Sequence, residues 1–570
     1  MKTSIRAYLL AFLAMFAWSA PLSATESKTG FLVLAQDRGF IGNQELLDLM
    51  QEFKKDYPAA LALIGRDYTG IEGEYAVYLT RAVQELKQTG VTDIVAIPLF
   101  LSSADPVLKR TMPTVPAYTA GLPVRWAPAM AQSYLTGQVI LDRVETLSQQ
   151  VRSAESGGHG HSERLILLGI GAVDAASEKA LKADLDRLLA YVQRYKGFES
   201  AEAVVYYDRE ADGAEQRNRE IKAHVLSRVA RQGRTLIVPA FIGPKFDQSM
   251  AMTAWLGKQF AGLNVAYQPA ELMPHPNVSL WLKKTANQFV AVRPNEIGVV
   301  VMPHGSMQPW NDAVERIIEP LKVRYRIEMA YGMGDPDIIQ TAVTKLERQG
   351  IKRIVFVRMY ELVHHMKPLT DYILGLADAP GFSGHSEGHG HDVPAQVRSA
   401  ALFSAFGGYT ENFPPIAQVL CDRITEISKD PAEETVVFLA HGSNTDEDND
   451  HWLSVIRTNI DWVKKDSRCA SFKAIKAATV REDWPEKREK AVAEVRKMIE
   501  EDAKTGRVLV IANRMYGSGP YKKMLNGLEY VLNEKGFASS ALTKWLEEGI
   551  ERTATALTTP TTNTDRLAQR

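Results

Sequence analysis

One pattern recurs four times in this chain and leaves few folds open to it: a short apolar strand, a helix, a second helix closed by glycine, and another apolar strand. The third copy is the clearest. Its opening run, Ile297-Gly-Val-Val-Val-Met-Pro303, is apolar at successive rather than alternate positions, as expected of a strand buried on both faces of a parallel sheet. Val314, Ile317, Ile318 and Leu321 then fall at helical spacing. A second helix over 337–349 is closed by Gly350, and 351–360 is the next buried strand. The other copies open with Phe31-Leu-Val-Leu-Ala35, Leu165-Ile-Leu-Leu168 and Val436-Val-Phe-Leu-Ala440. Their closing strands follow Gly90, Gly233 and Gly506. Strands alternating with helices predict βαβ units, so the expected class is α/β, each lobe a mainly parallel sheet flanked by helices.

The first and third copies each run on into a histidine- and glycine-rich stretch, Ser156-Gly-Gly-His159-Gly-His161 and Gly384-His385-Ser-Glu-Gly-His389-Gly-His391. That alternation predicts two bilobal halves: lobes over 25–155 and 162–292, then 295–430 and 433–552. A threonine-rich polar tail, 553–570, is expected to be unstructured. The two stretches themselves are flexible in composition and suited to weak metal capture.

A chain of 570 residues is too long for one core. Its formal net charge of −1, with no basic tract interleaved with aromatics, argues against nucleic acid as a partner. Lys2 and Arg6 precede an apolar run over 7–18, and small residues follow at Ser23-Ala24. This predicts a secretory signal over 1–24, cut after Ala24, and a periplasmic mature protein. The run is short for a span, and no later stretch is long and apolar enough to make one. Cys421 and Cys469, the two cysteines, could pair in an oxidising compartment.

In an open α/β sheet, ligands sit beyond the carboxyl ends of the strands. A lone histidine after a strand is usually structural. Here His304-Gly305-Ser306 and His441-Gly442-Ser443 stand at the same point of two copies, and His364-His365 ends the neighbouring strand of the third. Imidazole can ligate a divalent metal or take a proton near neutral pH. Lysines follow the closing strands at Lys109, Lys245, Lys367, Lys522 and Lys523. The acidic run from Asp446 to Asp450, with His451, reads first as a capped, solvated helix start and second as a hard-cation site.

Val299-Val-Val-Met-Pro-His304-Gly-Ser, the helix-Gly350-strand spacing, and His364-His365 before Lys367 resemble the class II chelatases, the sirohydrochlorin cobaltochelatase and ferrochelatase group. These insert a divalent ion into a tetrapyrrole without ATP. The resemblance covers the third copy well, reaches the fourth at its His441 strand, and reaches the first two through the repeat alone. It implies four chelatase-like lobes, with His304 and His365 catalytic and His365 preferred over His364 as the family's second histidine. It further implies His304, His364, His365 and His441 as metal ligands, and Lys367 and Ser306 as contacts for the tetrapyrrole. The metal is then a substrate, Co²⁺ first and Fe²⁺ or Ni²⁺ next, with no organic cofactor, in cobalamin- or siroheme-type biosynthesis.

Three departures bear on that expectation. The family's mid-strand glutamate has no counterpart in 330–334, and Glu361 is the nearest substitute. The first copy has Gln36-Asp37 and Ala104-Asp105, and the second Ile170-Gly171, where histidines would stand. The first half is therefore expected to be chemically silent or altered. The alternative reading is a non-catalytic periplasmic protein that binds metal or tetrapyrrole on the same fold.

Overall fold

A computed structural model describes residues 28–65, 73–154, 163–229, 234–293, 296–381 and 393–558. The expected signal segment and both histidine-glycine stretches lie outside the described residues. The chain forms four parallel four-stranded sheets. The first is built from β1 (Thr29–Gln36), β2 (Ala59–Ile64), β3 (Asp93–Pro98) and β4 (Val124–Trp126), in the order β2-β1-β3-β4. The second, from β5 (Glu163–Ala172), β6 (Ser200–Tyr207), β7 (Arg234–Pro239) and β8 (Val265–Tyr267), has the same order. So do the third, β9 (Ile297–Pro303), β10 (Arg326–Met329), β11 (Arg353–Met359) and β12 (Leu402–Gly407), and the fourth, β13 (Glu434–Ala440), β14 (Ala474–Thr479), β15 (Arg507–Ala512) and β16 (Val531–Asn533).

Two corrections follow. Each unit has a strand between its two helices, and the strand taken as closing it is third of four. The first and third strands occupy the sheet centre and are almost wholly buried, which makes them continuous apolar runs. The added strands lie at the edges, and several are three or four partly exposed residues long, too short to carry a pattern. The second correction concerns the tail. The helix Ser540–Thr558 runs through the point where an unstructured tail was expected. Ala554 packs with Ile297 and Val355, and the Arg353 side chain donates to the Leu557 carbonyl at 3.0 Å. Docking on the third sheet holds the helix where its own composition gives little signal.

The last helix of each lobe covers the neighbouring lobe. Tyr134–Ala154 leaves the first sheet to pack on the second lobe's helix Ala175–Tyr195, and Pro276–Asn287 returns to β3. Likewise Ile416–Thr425 packs on Asp446–Val463, and Ser540–Thr558 on β11 and β12. One apolar core is accordingly shared by the first two lobes and another by the last two. The halves meet through polar contacts. Arg398 forms a double ion pair with Asp142 at 2.6 and 2.7 Å, Tyr134 donates to the Val397 carbonyl, and buried Arg353 donates to Asn287 and Val290 carbonyls.

Candidate functional site

The two histidine-glycine-serine turns share one geometry. Gly305 and Gly442 take φ of +81° and +85°, the left-handed region where glycine is unstrained. A Cβ on Gly442 would fall 2.9 Å from Asn449 Oδ1 and from Thr479. Each serine amide donates to an asparagine of the following helix, Ser306 to Asn311 at 2.9 Å and Ser443 to Asn449 at 3.3 Å. Each histidine turns Nδ1 to its own glycine's carbonyl, at 2.6 Å for His304 and 2.8 Å for His441. A carbonyl can only accept, so Nδ1 carries the proton and the neutral ring keeps its lone pair on Nε2. That is the tautomer a ligand or base needs.

The two rings then part. His441 Nε2 lies 3.0 Å from Asp483 Oδ2, so both its nitrogens face acceptors. Burial pulls its pKa down, but the hydrogen bonds to Asp483 and the Gly442 carbonyl, with the charge of Glu482, outweigh it and raise the net value. This arrangement favours an imidazolium, which has no lone pair for a metal. His304 is exposed at the end of β9, its ring centre 6.5 Å from that of Trp310 in an edge-on arrangement.

Trp452, on the helix Asp446–Val463, joins the lobes. His441 stacks on it at 5.9 Å and 17°, while His365, from the turn after β11, meets it edge-on at 4.8 Å. His364 and His365 lie 4.9 Å apart. The histidines that follow the third strand of the third lobe, β11, and the first strand of the fourth, β13, are thus brought to one cleft. The described ring contact of His304 goes to Trp310 and to none of them.

His364 faces the same fourth-lobe helix one residue earlier. Its ring is 5.0 Å from that of His451, whose Nε2 is 3.6 Å from Glu411 Oε1. Burial, and then the neighbouring His451, lower the His364 pKa. Glu411 was not singled out from sequence, and His451 entered there only beside the acidic run, as the second reading of a hard-cation site. The helix-start reading of the acidic run does hold for its first turn, where Thr445 caps the helix by accepting from the Asp448 amide and Asp446 pairs with Arg481. His451 lies three residues beyond Asp448 on the same helix face.

Glu361, the residue weighed as a substitute glutamate, stands where β11 leaves the sheet. Burial raises its carboxyl to about 7 against the lowering by Arg514, His441 and a 3.2 Å hydrogen bond from Tyr409. Lys367 is engaged otherwise: it pairs with Asp371, which also holds Arg358 at 2.6 Å. Lys245 and Lys522 are likewise paired, with Glu45 at 2.6 Å and Glu534 at 2.5 Å. Ser306 is exposed, with its amide committed to Asn311.

The corresponding place in the first half is a cavity of about 110 Å³ between the first two lobes. Gln36, Ser102, Asp105 and Asp208 line it with apolar side chains, and no histidine does among the described residues. Asp105 caps the helix Pro106–Thr111 by accepting from the Val107 and Leu108 amides, and burial raises its pKa to about 6.

Fold and site together define an α/β chain of four parallel lobes with imidazoles from two of them converging on one cleft. No family model and no curated protein matches the chain by sequence. Among solved structures it is similar to SirB from Bacillus subtilis with Fe³⁺, at 15% identity and a TM-score of 0.31, over 44% of this chain and 91% of that one. It is also similar to DR2241 from Deinococcus radiodurans, described as a multi-domain protein with structural similarity to chelatases, at 12% identity and a TM-score of 0.29, over 45% and 54%. A third is an ABC transporter solute-binding protein from Clostridium phytofermentas with bound L-rhamnose, at 11% identity and a TM-score of 0.23, over 46% and 81%. Likenesses at these scores carry no weight here, and the fold rests on the four sheets themselves.

Proposed function

We propose that this chain inserts a divalent metal, cobalt or iron, into sirohydrochlorin or a related tetrapyrrole without ATP, at the cleft between its third and fourth lobes. The observation that carries the reading is the tautomer of His304, with Nδ1 tied to the Gly305 carbonyl and Nε2 turned out as a lone pair at an exposed strand end. Insertion removes two pyrrole N–H protons and delivers a partly dehydrated ion to the ring face. Glu361, titrating at about 7, takes up and releases a proton near neutrality, which is what a general base needs. His304 Nε2 and His365 supply the imidazoles for the second proton and for the ion. The expected export signal and the Cys421–Cys469 pair support an oxidising compartment such as the periplasm.

A second reading, capture without turnover, draws on the ion pair that occupies Lys367 and on the absence of a mid-strand glutamate from 330–334. One experiment separates the two. Purified protein is mixed with a large excess of sirohydrochlorin and Co²⁺ or Fe²⁺, and the absorption spectrum is followed over time. Conversion of many equivalents per chain is the result expected of an enzyme. A spectral change that stops at one equivalent would replace it with the binding protein.

A further inference from the structure

His364, Glu411 and His451 come from three separate elements. His364 is in the turn after β11, Glu411 is in the segment between β12 and the helix Ile416–Thr425, and His451 is in the helix Asp446–Val463 of the fourth lobe. One ligand atom from each lies within 4.8 Å of the others. The Nε2 of His364 is shielded from solvent and has no hydrogen-bond partner among the described residues, its nearest carboxylate being Asp448 Oδ1 at 3.7 Å. A buried ring nitrogen left in that state costs free energy unless something else engages it. The Val363 amide donates to Glu411 Oε1 at 2.7 Å and fixes the carboxylate in place, as outer hydrogen bonds do for metal ligands.

We propose that these three side chains form a holding site for one divalent transition-metal ion, bridging the third and fourth lobes and separate from the imidazoles of His304 and His441. Two imidazoles and a carboxylate suit zinc, cobalt, nickel or ferrous iron, whereas magnesium and calcium prefer all-oxygen sets. A tetrahedral ion with bonds of about 2.1 Å sets its ligand atoms about 3.4 Å apart, so the set has to close on the ion. His451 is nearly half exposed, at 47%, and its ring has room to make that movement. Three protein ligands leave a coordination position open for water or an incoming donor. His364 is also the direct neighbour of His365, so an ion held here lies beside the cleft. A role as the station that loads the cleft rests on the chelatase reading; the binding of the ion does not.

The site is tested on the full chain with Co²⁺ alone, in the absence of tetrapyrrole, by visible absorption of the bound ion and by calorimetry. Wild type should bind one equivalent that His451→Ala and Glu411→Gln lose or bind at least about tenfold more weakly. Ions taken up by the histidine-glycine stretches appear equally in all three proteins and cancel in the comparison. Circular dichroism confirms that the variants are folded, and His451 is at the surface, where its removal leaves the core intact. Equal stoichiometry and affinity in wild type and both variants would overturn the proposal. Loss of the same equivalent in His304→Ala would also overturn it, by merging the site with the strand-end imidazole. Neither outcome depends on whether sirohydrochlorin is metallated, so failure here and failure of the chelatase reading are told apart.

Discussion

Glu361 loses solvation at the end of β11 by more than Arg514, His441 and Tyr409 offset, and its carboxyl moves up to about 7. The folded chain therefore holds a proton there that the unfolded chain releases near 4.5. Stability from this group is complete below about 4.5 and is lost as pH rises through about 7. Glu271, also raised to about 7 by burial, and Asp105, raised to about 6, slope the same way. Glu361→Gln should remove one share of the decline, at most about 1.4 kcal/mol per pH unit. Denaturant midpoints for both proteins between pH 5 and 8 provide the check, and parallel curves would contradict the titration. Arg38 gives a second residue-level test. It is 1% exposed and holds Glu45 at 2.8 Å and Glu271 at 2.9 Å across the first two lobes. Arg38→Met leaves buried Glu271 without its cation, while Glu45 keeps Lys245, and should cost about 3–5 kcal/mol; adding Glu271→Gln should restore part of it. A neutral single variant in thermal unfolding would remove Arg38 as the bolt between those lobes.

At the scale of elements, what could be read from the sequence depended on burial. β9, β11 and β13 are buried along their whole length, so the core itself wrote their apolar runs. β10 and β16, four and three residues long and for the most part only partly buried, had little such pressure on them and left no signature. The exchange of last helices was equally silent, since an amphipathic helix does not record which sheet it covers. Pairing of Cys421 with Cys469 was an open possibility in the sequence and is realised in the fold. It ties the helix Ile416–Thr425 to the loop after Asp446–Val463, the elements next to Glu411 and bearing His451. Closing 48 residues restricts the unfolded chain by up to about 4 kcal/mol. The double variant Cys421→Ser/Cys469→Ser should therefore unfold at markedly lower denaturant and hold Co²⁺ less tightly. Unchanged values in both assays would deny the bridge either role.

For the whole molecule, the site was half legible. His304 and His441 stood out because the repeats placed them at equivalent strand ends, and His364 and His365 because they end the neighbouring strand of the third copy. The meeting of the lobes at Trp452, and the approach of Glu411 and His451 to His364, are made by docking between distant segments, which no local pattern encodes. The ion pairs of Lys367, Lys245 and Lys522 with Asp371, Glu45 and Glu534 are of the same kind and become visible once the chain is folded. The halves are better tested together than apart, because buried Arg353 and half-buried Lys284 bond across the place where they meet and separation would expose both. The central claim is that the working cleft lies between the third and fourth lobes. Its most direct test is the initial rate of metal insertion into sirohydrochlorin by full-length wild type, His304→Ala and Asp105→Asn, at equal and saturating metal, with folding checked by circular dichroism. Loss of about a hundredfold or more in His304→Ala, with a wild-type rate in Asp105→Asn, is the predicted result. A wild-type rate in His304→Ala, or a collapse confined to Asp105→Asn, would move the chemistry to the first half and contradict the account.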